Sequence, residues 1–226
     1  MSQVPSRIGA VAAIAGALIL LGGTMLHPMS ADPGDPLAAF TEYAADAHWL
    51  ESHLGQFIGV ALMVIGLIAA RDTLEDERIQ WLARLGAAFA VAALAAAAAL
   101  QAVDGVALKR AIDHWARAPV DQRQGAFMAA FAIRQIEIGL ASFTAMLFGA
   151  TATLYGAAIA ASQGFPRWLG WLGAIGGAGT ITGGVLTAKT GFSATAMTVS
   201  MPFSLLTVLW MILVGAILWR HPRRPP

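Results

Sequence analysis

The sequence predicts an all-α polytopic membrane protein: a six-transmembrane-helix bundle in which helices 3 and 4 extend outside the membrane. Three observations carry this. Charged residues make up 12% of the 226 residues and hydrophobic ones 58%, whereas soluble domains carry about 25% charge. The apolar residues gather in long blocks rather than alternating stripes, and six blocks are long enough to cross a bilayer. The third is the stretch Gly125 to Ala161, free of proline and interrupted only by Arg134-Gln135-Ile136-Glu137. As one helix it would run ~55 Å, longer than the ~30 Å hydrocarbon core. Ile138 to Ala161 is sufficient to span alone, which places Arg134 and Glu137 near a membrane boundary.

The expected spans are about 8–27, 49–70, 81–103, 138–161, 168–188 and 199–219, read as a single transmembrane domain over 1–226. The first apolar block, Ile8 to Leu26, exceeds a signal-peptide core and no clean small-x-small cleavage site follows, so it is read as a retained span. Met29 to His48 holds four acids and no Lys or Arg; Pro33, Gly34 and Pro36 mark it as a turn-forming loop. Within 105–124, Val106, Ile112 and Trp115 can share one helical face. Lys109, Asp113 and Arg117, spaced by four, can pair along the other. Together with the start of the long helix this predicts an extracytoplasmic helical hairpin over about 104–137. In the fifth span, Gly173/Gly177 and Gly179/Gly183 have the small-xxx-small spacing of closely packed helices. Trp49, Trp81, Trp168, Trp171 and Trp219 flank spans, as interfacial anchors do.

Positive residues set the orientation. Arg7, Arg71, Arg78, Arg84, Arg167, Arg220, Arg223 and Arg224 would share one side; Lys109, Arg110, Arg117, Arg123 and Lys189 the other. The excess places both termini in the cytoplasm.

The chain lacks cysteine, which excludes disulfides, thiolate-held metals and thiol catalysis. A net charge of +1 without a basic helix gives no sign of nucleic-acid binding. No nucleophile elbow and no phosphate-binding glycine loop is present. Midplane charges and broken helices, the marks of transporters, are few.

Counting along each helix at roughly 1.5 Å per residue brings His27, His53, Asp104 and Glu137 to a similar depth near the outer boundary, with Gln56, Gln101 and Arg134 beside them. His53/Gln56, Gln101/Asp104 and Arg134/Glu137 are i,i+3 pairs, so each pair shares a face. Arg134, Glu137, Gln56 and Gln101 are the candidate ligand-binding residues. His27, His53, Asp104 and Glu137 are the candidate metal ligands, since His and carboxylate suit zinc, iron, manganese or copper; two histidines could also hold a haem axially. Solvation at helix ends alone would place most of these residues at such a depth. Arg134 and Glu137 differ, because they interrupt an apolar stretch where ionisable residues are costly. The belt therefore supports three roles: binding a small molecule, lipid or metal; metal- or haem-dependent catalysis; or a structural part in a homo-oligomer or larger membrane complex.

Pro166-Arg167-Trp168-Leu169-Gly170-Trp171-Leu172-Gly173 resembles the start of the fifth helix in a family of uncharacterised bacterial multi-helix membrane proteins, a domain of unknown function of actinobacterial type. His27-Pro28 after the first helix, a second helix begun by a histidine, and the basic end extend the resemblance. It implies a bacterial inner-membrane protein in a lipid bilayer and brings no activity with it.

Overall fold

The computed structural model describes residues 4–74 and 76–220. These form α1 (Val4–Leu26), α2 (Pro36–Ala45), α3 (Trp49–Arg71), α4 (Glu77–Gln101), a π-helical segment (Ala102–Leu108), α5 (Lys109–Arg117), α6 (Arg123–Ala161), α7 (Arg167–Thr190) and α8 (Ala194–Arg220). Six helical stretches are long and apolar enough to cross a membrane, α4 to α5 counting as one from Ile79 to Arg117. Arg223 and Arg224, used in the charge count, lie outside the described residues.

The spanning helices close a ring in chain order. α1 packs on α3, α3 on α4, α4 on α6, α6 on α7, α7 on α8, and α8 back on α1. The centre is filled by Ala10, Ala13, Met63, Leu67, Tyr155, Trp210 and Val214. Tyr155 reaches across from α6 and donates its hydroxyl to the Leu67 carbonyl at 2.9 Å. Outward-pointing side chains such as Ile58, Val91, Phe143, Ile175 and Leu205 remain exposed, as a lipid-facing surface requires.

Two seams depend on missing side chains, because helix association in lipid rests on close packing. A Cβ on Gly16 would come within 2.6 Å of the Gly59 carbonyl oxygen, which fixes the α1–α3 approach. A Cβ on Gly177 would lie 2.5 Å from the Gly149 carbonyl oxygen and 2.5 Å from the Thr153 nitrogen of α6. The predicted glycine pairs are thus divided between neighbours: Gly173, Gly179 and Gly183 meet Trp210, Phe203 and Ser200 of α8, and Gly177 meets α6. Gly177→Ala would push against the α6 backbone at Gly149 and Thr153 and against the Thr153 hydroxyl at 2.5 Å, so it is expected to destabilise the bundle by about 1–3 kcal/mol. A lowered unfolding temperature in detergent would register this; an unchanged one would contradict the tight seam.

Two local expectations are corrected. The segment read as a loop, Met29 to His48, contains α2. Asp35 caps it, its Oδ1 accepting from the Leu37 and Ala38 amides at 3.0 and 3.2 Å, and Pro36 opens its first turn. Asp-Pro is a helix start as well as a turn signal. Val106 does not join Ile112 and Trp115: those two are buried while Val106 is 42% exposed. The π-helical segment, wider than an α-turn, shifts the phase between them.

α5 packs against α6. α2 lies on them. Phe40, Tyr43, Trp49, Leu108, Ile112, Trp115 and Ala130 form a second core, separate from the first. Lys109 clips this cap together: its ammonium donates to the Tyr43 and Ala44 carbonyls at the C-terminal end of α2 (3.0 and 3.2 Å) and pairs with Asp113 at 2.8 Å.

Candidate functional site

The site lies where the core of the spanning helices meets this second core. Its parts come from the end of α1, the first turns of α3, the π-helical segment and the middle of α6. His27 follows the last residue of α1, and its ring packs 5.0 Å from Trp49 and 5.2 Å from His53 between centroids. Ser52 ties α3 to α1 by donating to the Gly23 carbonyl at 2.8 Å. His53, on the next position of α3, is 2% exposed and stacks on Trp49 at 4.6 Å.

Asp104 is brought in by the π-helical segment. Gly105 permits the approach, since a Cβ there would lie 2.8 Å from His53 Cβ. The Trp49 indole donates to the Asp104 backbone carbonyl at 3.2 Å. Such segments are rare and recur at functional sites because they turn a side chain out of helical phase.

One donor atom each from His27, His53 and Asp104 lies within 4.8 Å of the others. The hydrogen bonds define which atoms are free. His27 Nδ1 is 2.8 Å from the Pro28 carbonyl and His53 Nδ1 is 2.6 Å from the Trp49 carbonyl. A carbonyl only accepts, so each Nδ1 carries a proton, and in the neutral form of each ring Nε2 is left to act as acceptor or ligand. Burial holds the His27 imidazole below its ordinary pKa, and His53 adds to this against the pull of Asp104; the ring is thereby kept in the neutral form that ligates.

His53 Nε2 is 3.1 Å from Asp104 Oδ2. The contact is ionic in distance but not aligned as a hydrogen bond, and Nε2 and Asp104 Oδ1 are both buried without a hydrogen-bond partner. A lone pair directed at a carboxylate at this range needs a cation, either a proton on Nε2 or a metal between the two. Ligands about 2.0–2.1 Å from a tetrahedral ion sit ~3.3 Å apart, close to the 3.1 Å between His53 Nε2 and Asp104 Oδ2.

One helical turn away, Gln101 Nε2 donates to Gln56 Oε1 at 3.2 Å, and Gln101 Oε1 is buried without a partner among the described residues. The rungs His53–Asp104 and Gln56–Gln101 both bridge α3 to the helix that follows it.

Arg134 and Glu137 form the other half of the belt. The guanidinium donates to both carboxylate oxygens at 3.1 and 2.9 Å, with the residues 5% and 3% exposed. It lies 5.4 Å over the Tyr43 ring and 4.8 Å over that of Phe192, and reaches the Tyr43 hydroxyl at 3.4 Å and the Pro33 carbonyl at 3.5 Å. The pair thus joins α6 to the α1–α2 connection, α2 and the α7–α8 connection. Glu137 is engaged by Arg134 and stands outside the group of three donors. Tyr43 links the halves, since its ring centroid is 5.9 Å from that of His27; burial raises its phenol above the ordinary value and keeps it neutral. His48, Glu51 and His114 are exposed, away from this cluster.

Sequence reasoning missed the partners that orient the site: Tyr43, Trp49 and the π-helical segment. A glycine directly after Asp104, in an otherwise helix-compatible stretch, was the available signal for the last.

The family model of a domain of unknown function, DUF4386, matches residues 78–215, more than half of the chain. No curated protein and no solved structure matches the chain. Asp104, Gln101, Arg134 and Glu137 fall inside the matched segment; His27 and His53 precede it.

Proposed function

The chain belongs to the DUF4386 family of unknown function, and from that premise we propose that it is a membrane metal-binding protein holding one divalent transition ion of the zinc class on His27, His53 and Asp104. The observation that carries this is the convergence of three donors within 4.8 Å, with both imidazoles oriented by backbone carbonyls through their Nδ1 atoms. Protein ligands in metal sites are held in this way by outer hydrogen bonds. Two imidazoles and one carboxylate suit zinc or iron and leave coordination positions open. The 5.2 Å separation of the His27 and His53 rings and the stacking of Trp49 on His53 favour a small ion over a haem, whose plate must pass between its axial imidazoles.

The open positions connect this reading to its two neighbours. A small molecule or lipid head group can complete the ion's coordination shell, and a metal-bound water can act in catalysis. The charge asymmetry supports both termini in the cytoplasm and the site at the outer face, and the resemblance to bacterial proteins supports the inner membrane.

Binding to the folded state alone stabilises it by linkage. Chelation of the purified protein is expected to lower its unfolding temperature, and zinc restored at 100-fold over its Kd to recover about 2.7 kcal/mol. Unfolding insensitive to both chelator and zinc would contradict the proposal.

A further inference from the structure

The three-donor site has two buried acceptors beside it that no group among the described residues satisfies. Asp104 Oδ1 and Gln101 Oε1 both lack a hydrogen-bond partner. Their neighbours show where they face. Asp104 meets His53 and Gln101 meets Gln56, so both side chains point at α3 from the same side, one above the other. Gln101 gives one of its two amide hydrogens to Gln56 Oε1, which turns its own oxygen away from Gln56. A buried acceptor left without a donor costs about 1–3 kcal/mol, and one ligand that carries two hydrogens can compensate both.

We infer that Gln101 and Asp104 select the ligand of the open coordination position: a neutral molecule that gives a lone pair to the metal and two hydrogens to Gln101 Oε1 and Asp104 Oδ1. Water, ammonia and a primary amine have this form. Acceptor-only anions such as azide do not, and would leave both oxygens unsatisfied next to a carboxylate. Gln101 is therefore a specificity-determining residue that does not touch the metal, and Gln56 positions it. The inference rests on the metal reading.

The test uses the cobalt(II)-loaded protein in detergent, with azide as the probe. Metal content is measured first and azide affinity second, from the visible spectrum, for the wild type and Gln101→Leu. The expected result is one cobalt per chain in both and azide binding roughly three- to tenfold tighter in Gln101→Leu, because the competing water has lost one hydrogen bond. Equal or weaker azide binding at full cobalt occupancy overturns the inference while leaving the metal site standing. Failure of the wild type to hold cobalt overturns both. If Gln101→Leu does not fold, electron–nuclear double resonance on the wild-type cobalt form in H2O and D2O decides. Strongly coupled exchangeable hydrogens on the ligand of the ion, distinct from the weaker couplings of the imidazole Nδ1–H groups, are expected, and their absence overturns the inference.

Discussion

His53→Ala is expected to lower zinc affinity by at least ~100-fold. Loss of an outer-shell partner alone costs 10–100-fold in metal sites, and His53 is proposed as a direct ligand. The residue is 2% exposed, with its Nδ1 committed to the Trp49 carbonyl and its Nε2 at 3.1 Å from Asp104. No neighbouring side chain within the three-donor group replaces it, because His27 and Asp104 are the other two members. Competition against a chromophoric chelator would read the affinity, with size-exclusion behaviour confirming a folded protein. His27→Gln, at the half-buried ligand, keeps more of the packing and separates ligation from folding. Zinc affinity within a few-fold of wild type in both variants would show that the ion is not held here.

Glu137→Ala is expected to destabilise the protein by about 3–5 kcal/mol, the cost of stranding one member of a buried ion pair. Among the described residues, Arg134 would keep a charge at 5% exposure with the Tyr43 hydroxyl at 3.4 Å and the Pro33 carbonyl at 3.5 Å as its remaining acceptors. Arg134→Ala/Glu137→Ala removes both charges and is expected to lose less than Glu137→Ala alone. The double-mutant cycle in denaturant isolates the pair. Additive losses would mean that the two residues are held independently. The same cycle bears on the cap, because Arg134 connects α6 to Pro33, Tyr43 and Phe192. Loosening on both sides of the site is therefore expected when the pair is broken.

The bundle was legible in the sequence because a bilayer imposes one length and one polarity on every spanning helix. The six apolar blocks and the prolonged third and fourth spans follow from counting alone. Counting put His27, His53 and Asp104 at one level for the same reason, and one donor atom of each lies within 4.8 Å of the others. Direction was not legible. The face that Asp104 presents is set by the π-helical segment Ala102–Leu108, and a count based on α-helical rise carries no sign of it. Glu137, level with the others, is turned by a partner three residues away on its own helix. Tyr43 remained hidden because Pro33, Gly34 and Pro36 drew the segment toward a turn, although Asp35-Pro36 begins a helix. The tautomers of both histidines depend on carbonyls of Pro28 and Trp49, one and four residues distant, and residue type alone does not reveal them.

Metal analysis of the gently purified wild-type protein by mass spectrometry tests the central claim most directly. The expected result is one zinc-class ion per chain that survives desalting and disappears in His53→Ala. Wild-type protein that is folded, metal-free and unable to retain added zinc, iron or cobalt would contradict it.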